Sequence, residues 1–243
     1  MAMRILITND DGIKAEGLIS LVKWAAKYGE VTTVAPLHEQ SGKSQGIDIF
    51  HPISVTPYEL CPETTAYAVD STPADCVRFG IIGLGQQYDL VISGINRGYN
   101  IGQDIVYSGT VGAIYEAAAQ GHRGLALSTD PSTLAGALEQ LDYVYKFLER
   151  NNLFAQNTLY NVNIPENPQG IRITHQGQAK YSDEWVDMGN GTYQQVGQFI
   201  FENTKNLDLD TDCVMNGYIS ITPLQTDRTN LTVYKKLAGY LNQ

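Results

Sequence analysis

The chain has 243 residues, 43% of them apolar, with a formal net charge of −10 and a sequence pI near 4.7. The apolar content excludes a disordered chain, and the charge excludes a surface for nucleic-acid polymer, because no basic stripe offsets repulsion by phosphates. No stretch reaches the roughly 18 apolar residues of a membrane span, and three cysteines without CxxC spacing exclude a disulfide framework or thiolate zinc site. We therefore expect a cytoplasmic protein whose partners are small molecules or other protein chains.

Residues 4–8 (RILIT) form a short apolar run ended by polar residues, which predicts a buried parallel strand. Leu18, Leu21, Val22 and Ala25 then recur at spacings of three and four, predicting a helix that stops near Gly29. A second strand is expected over 31–35, closed by Pro36. The alternation returns as a strand over 89–96, a helix over 108–120, a strand over 124–129 and a helix over 132–150. Such alternation predicts an α/β fold: a Rossmann-like doubly wound, mostly parallel sheet with right-handed crossovers. In 71–80, Pro73 suits a first helical position after a Ser/Thr cap.

Beyond about residue 150, TLYNVNIP, IRITHQG and GTYQQVGQF read as strands separated by Asn, Gly and Asp. This divides the chain into a core over 1–150 and a β-rich C-terminal extension over 151–243. The polar segments 182–190 and 203–212 are candidates for a hairpin arm, a substrate wall or an oligomer contact. A last strand over 218–224 and a helix over 231–241 return the chain to the body.

Chemistry concentrates at strand ends. Asn9, Asp10 and Asp11 follow the first strand directly, where open α/β sheets place ligand sites. Two adjacent carboxylates repel unless a cation lies between them; the plainer alternative is a turn and a favourable charge at the next helix N-terminus. Ser41 lies on the Gly-flanked loop after the second strand, and Asn96 ends a later one, so three loops converge on one sheet edge. Asp10, Asp11, Ser41 and Asn96 offer only oxygen donors, a set suited to Mg²⁺ or Mn²⁺. Taken singly, Ser41 and Asn96 are ordinary loop hydrogen-bonders. Ser108, Gly109 and Thr110 open a helix whose free N–H groups suit phosphate, a routine N-cap by Ser108 being the alternative. Lys43, Arg78 and Arg97 are the few cations available to an anionic substrate, with Gly42 beside Lys43 on the same loop.

Other patterns fail. Gly42, Lys43 and Ser44 lack the upstream glycine of a P-loop, where Leu37 stands, no GxGxxG or HExxH occurs, and no GxSxG elbow running from a strand into a helix supports a serine hydrolase.

The motifs ILITNDDG (5–12), VAP…QSG (34–42), TPADCV (72–77), SGINRGYNIGQDIVYSGTVGA (93–113), NVNIP (161–165) and GYISITPL (217–224) together resemble the SurE family of survival proteins. The resemblance implies metal-dependent hydrolysis of nucleoside 5′- and 3′-monophosphates, and short polyphosphate is a candidate for a side activity on which the sequence is silent. It also implies one divalent ion per subunit on Asp10, Asp11, Ser41 and Asn96, and a phosphate-binding turn at 108–110. Homodimers or homotetramers that exchange C-terminal elements are implied too. Asp10 and Asp11 are then the catalytic carboxylates, Asn9 assists catalysis and phosphate contact, and Gly42, Lys43 and Arg97 are substrate-side candidates. The chain departs from the family at Leu37, His38 and Glu39, where Asp-Arg is frequent, which removes a cation near the site. A non-catalytic nucleotide-binding or assembly module is the alternative reading.

Overall fold

Strand β1 (Met3–Thr8) alternates its side chains between two apolar layers, and that alternation organises the molecule. Ile5 and Ile7 face a cluster with Leu18, Leu21 and Val22 of α1 (Glu16–Ala25) and Leu141, Val144 and Leu148 of α5 (Ala135–Arg150). Leu6 faces the opposite cluster, with Val77 of α2 (Pro73–Arg78) and Ala113 and Ala117 of α4 (Gly109–Ala119). The result is a three-layer α/β arrangement in a computed structural model that describes residues 2–178 and 180–242. Met1 and Gln243, the outer limits of the two-part division expected from the sequence, lie outside the described residues.

Among the described residues the central sheet has nine strands. Its parallel body runs β4 (Thr64–Val69), β2 (Gly29–Pro36), β1, β5 (Leu90–Arg97), β6 (Gly124–Thr129) and β7 (Leu159–Ile164). Ile7 pairs in register with Thr33 on one side and Ile92 on the other. The expected helix over 132–150 begins later, at Ala135, because Asp130 accepts the Ser132 N–H and holds the chain in a turn.

Two strands escaped the sequence reading. β4 and the edge strand β3 (Val55–Tyr58) extend the sheet beyond β2. VTPY carries Pro57, tolerated because β3 is an antiparallel edge strand. The Thr72 cap and Pro73 start expected for α2 are present, with the Thr72 hydroxyl accepting the Asp75 N–H.

The C-terminal part continues the same sheet. β11 (Ile219–Leu224) pairs antiparallel with β7 and parallel with β8 (Ile171–Ile173). The arm is a separate hairpin of β9 (Lys180–Gly189) and β10 (Thr192–Ile200), turned at Asn190 and Gly191, both at positive φ. The 203–212 segment does not pair in that arm. Its end enters α6 (Asp210–Met215), whose Asp210 is buried but satisfied, accepting N–H groups from Gly102 and Gly177. The last helix, α7 (Leu231–Ala238), is shorter than expected and passes into a 3₁₀ turn.

Candidate functional site

In this strand order β1 is flanked by β2 and β5, and the connections leave it towards opposite edges of the sheet. This is the topological switch point of a doubly wound sheet, and the crevice beyond the carboxyl ends of β1 and β5 is its natural ligand site. Asn9 to Asp11 follow β1 there, and Asn96 and Arg97 finish β5.

Asp10 is the anchor. Its carboxylate oxygen Oδ1 accepts the Thr110 hydroxyl at 2.6 Å, and its backbone oxygen accepts the Gln40 N–H at 2.7 Å. Gly109 is required by this contact, since a Cβ there would lie 2.9 Å from the Asp10 Cβ and 3.0 Å from its Oδ2. The N-terminus of α4 thus packs directly on the carboxylate, as the sign of a helix N-terminus favours. Burial raises the Asp10 carboxyl above its ordinary value against the opposing bond from Thr110. Asp11 is pushed up to about 6, first by burial and then by the charges of Asp10 and Glu39, with the Arg97 N–H and charge opposing.

The loop after β2 closes the crevice. Ser44 donates its N–H to Tyr107 and its hydroxyl to the Val106 carbonyl, and a methyl on Gly112 would overlap the Ser44 carbonyl. Gln45 donates to Glu116 on α4 at 3.1 Å. On its other flank, Asp75 accepts the Asp48 N–H at 2.9 Å and Thr72 donates to the Gly46 carbonyl. Ser41 rides on this fastened loop and donates to Glu39 at 2.7 Å.

The remaining candidates divide by what already occupies them. Asn9 uses both ends of its buried amide inside the turn, donating to the Gly12 carbonyl and accepting the Gly12 N–H. These bonds shape the loop and leave the second Nδ2 hydrogen of Asn9 to donate elsewhere. Thr110 likewise spends its hydroxyl on Asp10. Ser108 is the N-cap of α4, its oxygen accepting the Val111 N–H, which leaves its hydroxyl hydrogen to donate. Asn96 donates Nδ2 to the Gly98 carbonyl at 2.7 Å, leaving its amide oxygen for another partner. Of the cations, Arg78 pairs with buried Glu116 and Arg97 with Glu16. Lys43 forms no ion pair among the described residues, and Gly42 beside it has open space around it.

The donor set suits a hard cation. The charge of Glu39 adds to the negative potential at Asp10 and Asp11, while the guanidinium of Arg97 is turned to Glu16. Among the described residues no three His, Cys, Asp or Glu side chains are grouped to hold an ion by themselves. A cation at this edge therefore depends on hydroxyl and amide oxygens, which Ser41 and Asn96 carry.

The sequence reading missed Glu39 as part of the site's charge, having taken it only as a lost cation. It also missed the network behind Asn96. Asn161 and Asn163 on β7 both donate to the Asn100 carbonyl, Asn163 accepts the Asn100 N–H, and Asn100 donates to Ser128. Two fully buried asparagines at period two in an otherwise apolar strand were the available signal.

Comparison with known proteins agrees with this fold. The family model described as survival protein SurE matches residues 5–183. The 5'-nucleotidase SurE of Thermosipho melanesiensis is 36% identical, with 97% of this chain and 96% of that protein covered. The 5'-nucleotidase SurE of Geotalea uraniireducens is 38% identical, with coverage of 98% and 97%. A crystal structure of the SurE protein from Aquifex aeolicus superposes with a TM-score of 0.77 at 31% identity, covering 99% of this chain and all of that one. A match of this extent in sequence and in fold establishes that the chain belongs to the SurE family of survival proteins.

Proposed function

We propose that this chain is a nucleotidase that hydrolyses nucleoside 5′-monophosphates, and 3′-monophosphates at the same centre, using one Mg²⁺ or Mn²⁺ per subunit. The observation that carries this reading is the convergence of Asp10, Asp11, the Ser41 loop and the α4 N-terminus on the switch-point crevice. The nucleotidase names of its relatives support it. Asp10, Asp11, Ser41 and Asn96 would hold the ion, which when bound supplies charge neutralisation and a more acidic water.

The chain's own groups do the rest. Thr110 and the α4 N-terminus fix the Asp10 carboxylate, so its orientation costs no reorganisation during reaction. Asp11 is less buried than Asp10, and it is the carboxylate that would accept the proton of the attacking water. The Ser108 hydroxyl and the Gly109 N–H donate to phosphate oxygens, with Lys43 adding positive charge from the rim. Asn9 holds the turn that presents both carboxylates.

The test is phosphate release from nucleoside 5′- and 3′-monophosphates with Mn²⁺, with Mg²⁺ and with chelator. Short polyphosphate belongs in the same panel because its terminal phosphoryl group presents similar oxygens. Metal-dependent release is expected, and Asp11→Asn should lower turnover roughly a hundredfold or more. No release with any metal would leave a nucleotide-binding or assembly module.

We also assign a homodimer or homotetramer to this chain. Trp185 is 69% exposed on the hairpin, flanked by Val186, Met188 and Tyr193, and α7 has no buried side chain. Apolar surface of this kind on a soluble chain marks contact with another protein surface.

A further inference from the structure

A serine can serve a cation only through the lone pairs of its hydroxyl, and the single hydroxyl hydrogen rotates freely unless an acceptor takes it. In Ser41 that hydrogen is committed. Ser41 Oγ donates to Glu39 Oε1 at 2.7 Å, the length of a bond to a charged acceptor, so only lone pairs of Oγ are left for another partner.

The backbone that carries this bond is fastened on both sides. The Leu37 N–H donates to the Val69 carbonyl and the Gln40 N–H to the Asp10 carbonyl, each at 2.7 Å. The β1 turn lies close alongside, since a Cβ on Gly12 would come 3.4 Å from the His38 carbonyl carbon and 3.5 Å from the Glu39 nitrogen. Past Ser41, Gly42 turns the chain at a φ of 71°, and Ser44 is bonded to the carbonyls of Val106 and Tyr107. Glu39 and Ser41 therefore flank Gln40, the residue through which this loop is tied to Asp10.

Glu39 makes no ion pair among the described residues, because Arg97 is turned to Glu16 and Arg78 to Glu116. Its carboxylate is free to polarise the Ser41 hydroxyl. An acceptor behind a ligand fixes that ligand's orientation and strengthens it as a donor to the metal. The charge of Glu39 also reaches Asp10 and Asp11 directly, but an exposed carboxylate acting at a distance is screened by salt, whereas a hydrogen bond is not.

We infer that Glu39 is a positioning residue for the ion: it takes the Ser41 hydrogen and so presents Ser41 Oγ to the cation as a lone-pair donor. This rests on the proposed cation site and adds a residue that acts through one of its ligands.

The experiment is calorimetric titration of the metal-free, full-length chain with Mn²⁺ and no nucleotide, in about 0.15 M salt to screen direct charge effects. Wild type is compared with Glu39→Ala, Glu39→Gln, Ser41→Ala and the double variant Glu39→Ala/Ser41→Ala. Both side chains are exposed, so the variants keep the fold, which thermal unfolding in chelator checks. Glu39→Ala should bind Mn²⁺ roughly tenfold more weakly, as loss of a partner behind a metal ligand does. Glu39→Gln keeps an acceptor oxygen and should recover part of that loss. With the hydroxyl already removed in Ser41→Ala, adding Glu39→Ala should cost no more than about twofold, since residues that act through one another are not additive. Wild-type affinity in Glu39→Ala, the full tenfold loss repeated in the Ser41→Ala background, or a wild-type chain that binds no Mn²⁺ overturns the inference. Coupled losses of Mn²⁺ affinity with no phosphate release from any nucleotide would instead overturn only the nucleotidase reading.

Discussion

Replacing Thr110 by Val removes one hydroxyl and little volume, at a position that is fully buried. The lost bond is the 2.6 Å donation to Asp10 Oδ1, made in a site where burial already disfavours the charged carboxylate. A hydrogen bond to a charged group contributes about 1.5–3 kcal/mol. For a chain of this size each kcal/mol moves the melting temperature by roughly 2–4 °C, so Thr110→Val should melt about 3–12 °C below wild type. Released from its anchor, Asp10 should also hold the ion and the phosphate less well, lowering kcat/KM for a nucleoside monophosphate by about tenfold or more. Thr110→Ser keeps the donor and should recover most of both losses. Thermal unfolding in chelator and initial rates with saturating Mn²⁺ read the two effects separately. If Thr110→Val equals wild type in both assays, Asp10 is not held by α4, and the account of a preorganised carboxylate fails.

Three further outcomes follow from particular contacts. Gly112→Ala would drive a methyl into the Ser44 carbonyl, so the 41–46 loop must lift; we expect a loss of about 1–3 kcal/mol in urea unfolding and a clear fall in turnover, and unchanged values would show that the loop is not seated on α4. Burial holds the Asp210 carboxyl above its ordinary 3.8, so the unfolded chain ionises first and this residue's contribution to stability is greatest below that value and declines as pH rises through the raised folded-state value. The unfolding free energy of wild type minus that of Asp210→Asn should therefore decrease from pH 4 to pH 7, and an increase would mean that its backbone donors outweigh burial. Trp185→Glu places a charge on the exposed hairpin and should shift the sedimentation profile towards monomer; an unchanged profile places the subunit contact elsewhere.

The parallel body of the fold was legible because its signals are local. Ile5, Leu6 and Ile7 are buried on both faces of β1 and read as an apolar run, while Leu18, Leu21 and Val22 repeat at helical spacing on α1. β3 and β4 were not legible. Pro57 argues against a strand over VTPY on pattern alone, and β3 and β4 are fixed by pairing with each other and with β2. α6 was hidden for a related reason, because Asp210 and Asp212 look solvent-facing until the backbone donors that bury Asp210 are in place.

The same division runs through the site. The sequence alone determined that Asp10 and Asp11 stand at the end of a central strand, that oxygen donors converge on that edge, and that a Ser-capped helix begins nearby. These follow from strand ends, turn residues and capping chemistry, all of which act within a few positions. Only the tertiary structure decided that Thr110 is spent on Asp10 across a separation of 100 residues, that Arg78 is claimed by Glu116, and that a cavity opens past Asn96. Those outcomes depend on which groups packing brings within hydrogen-bond reach, and a side chain's commitments are settled only when its distant neighbours arrive.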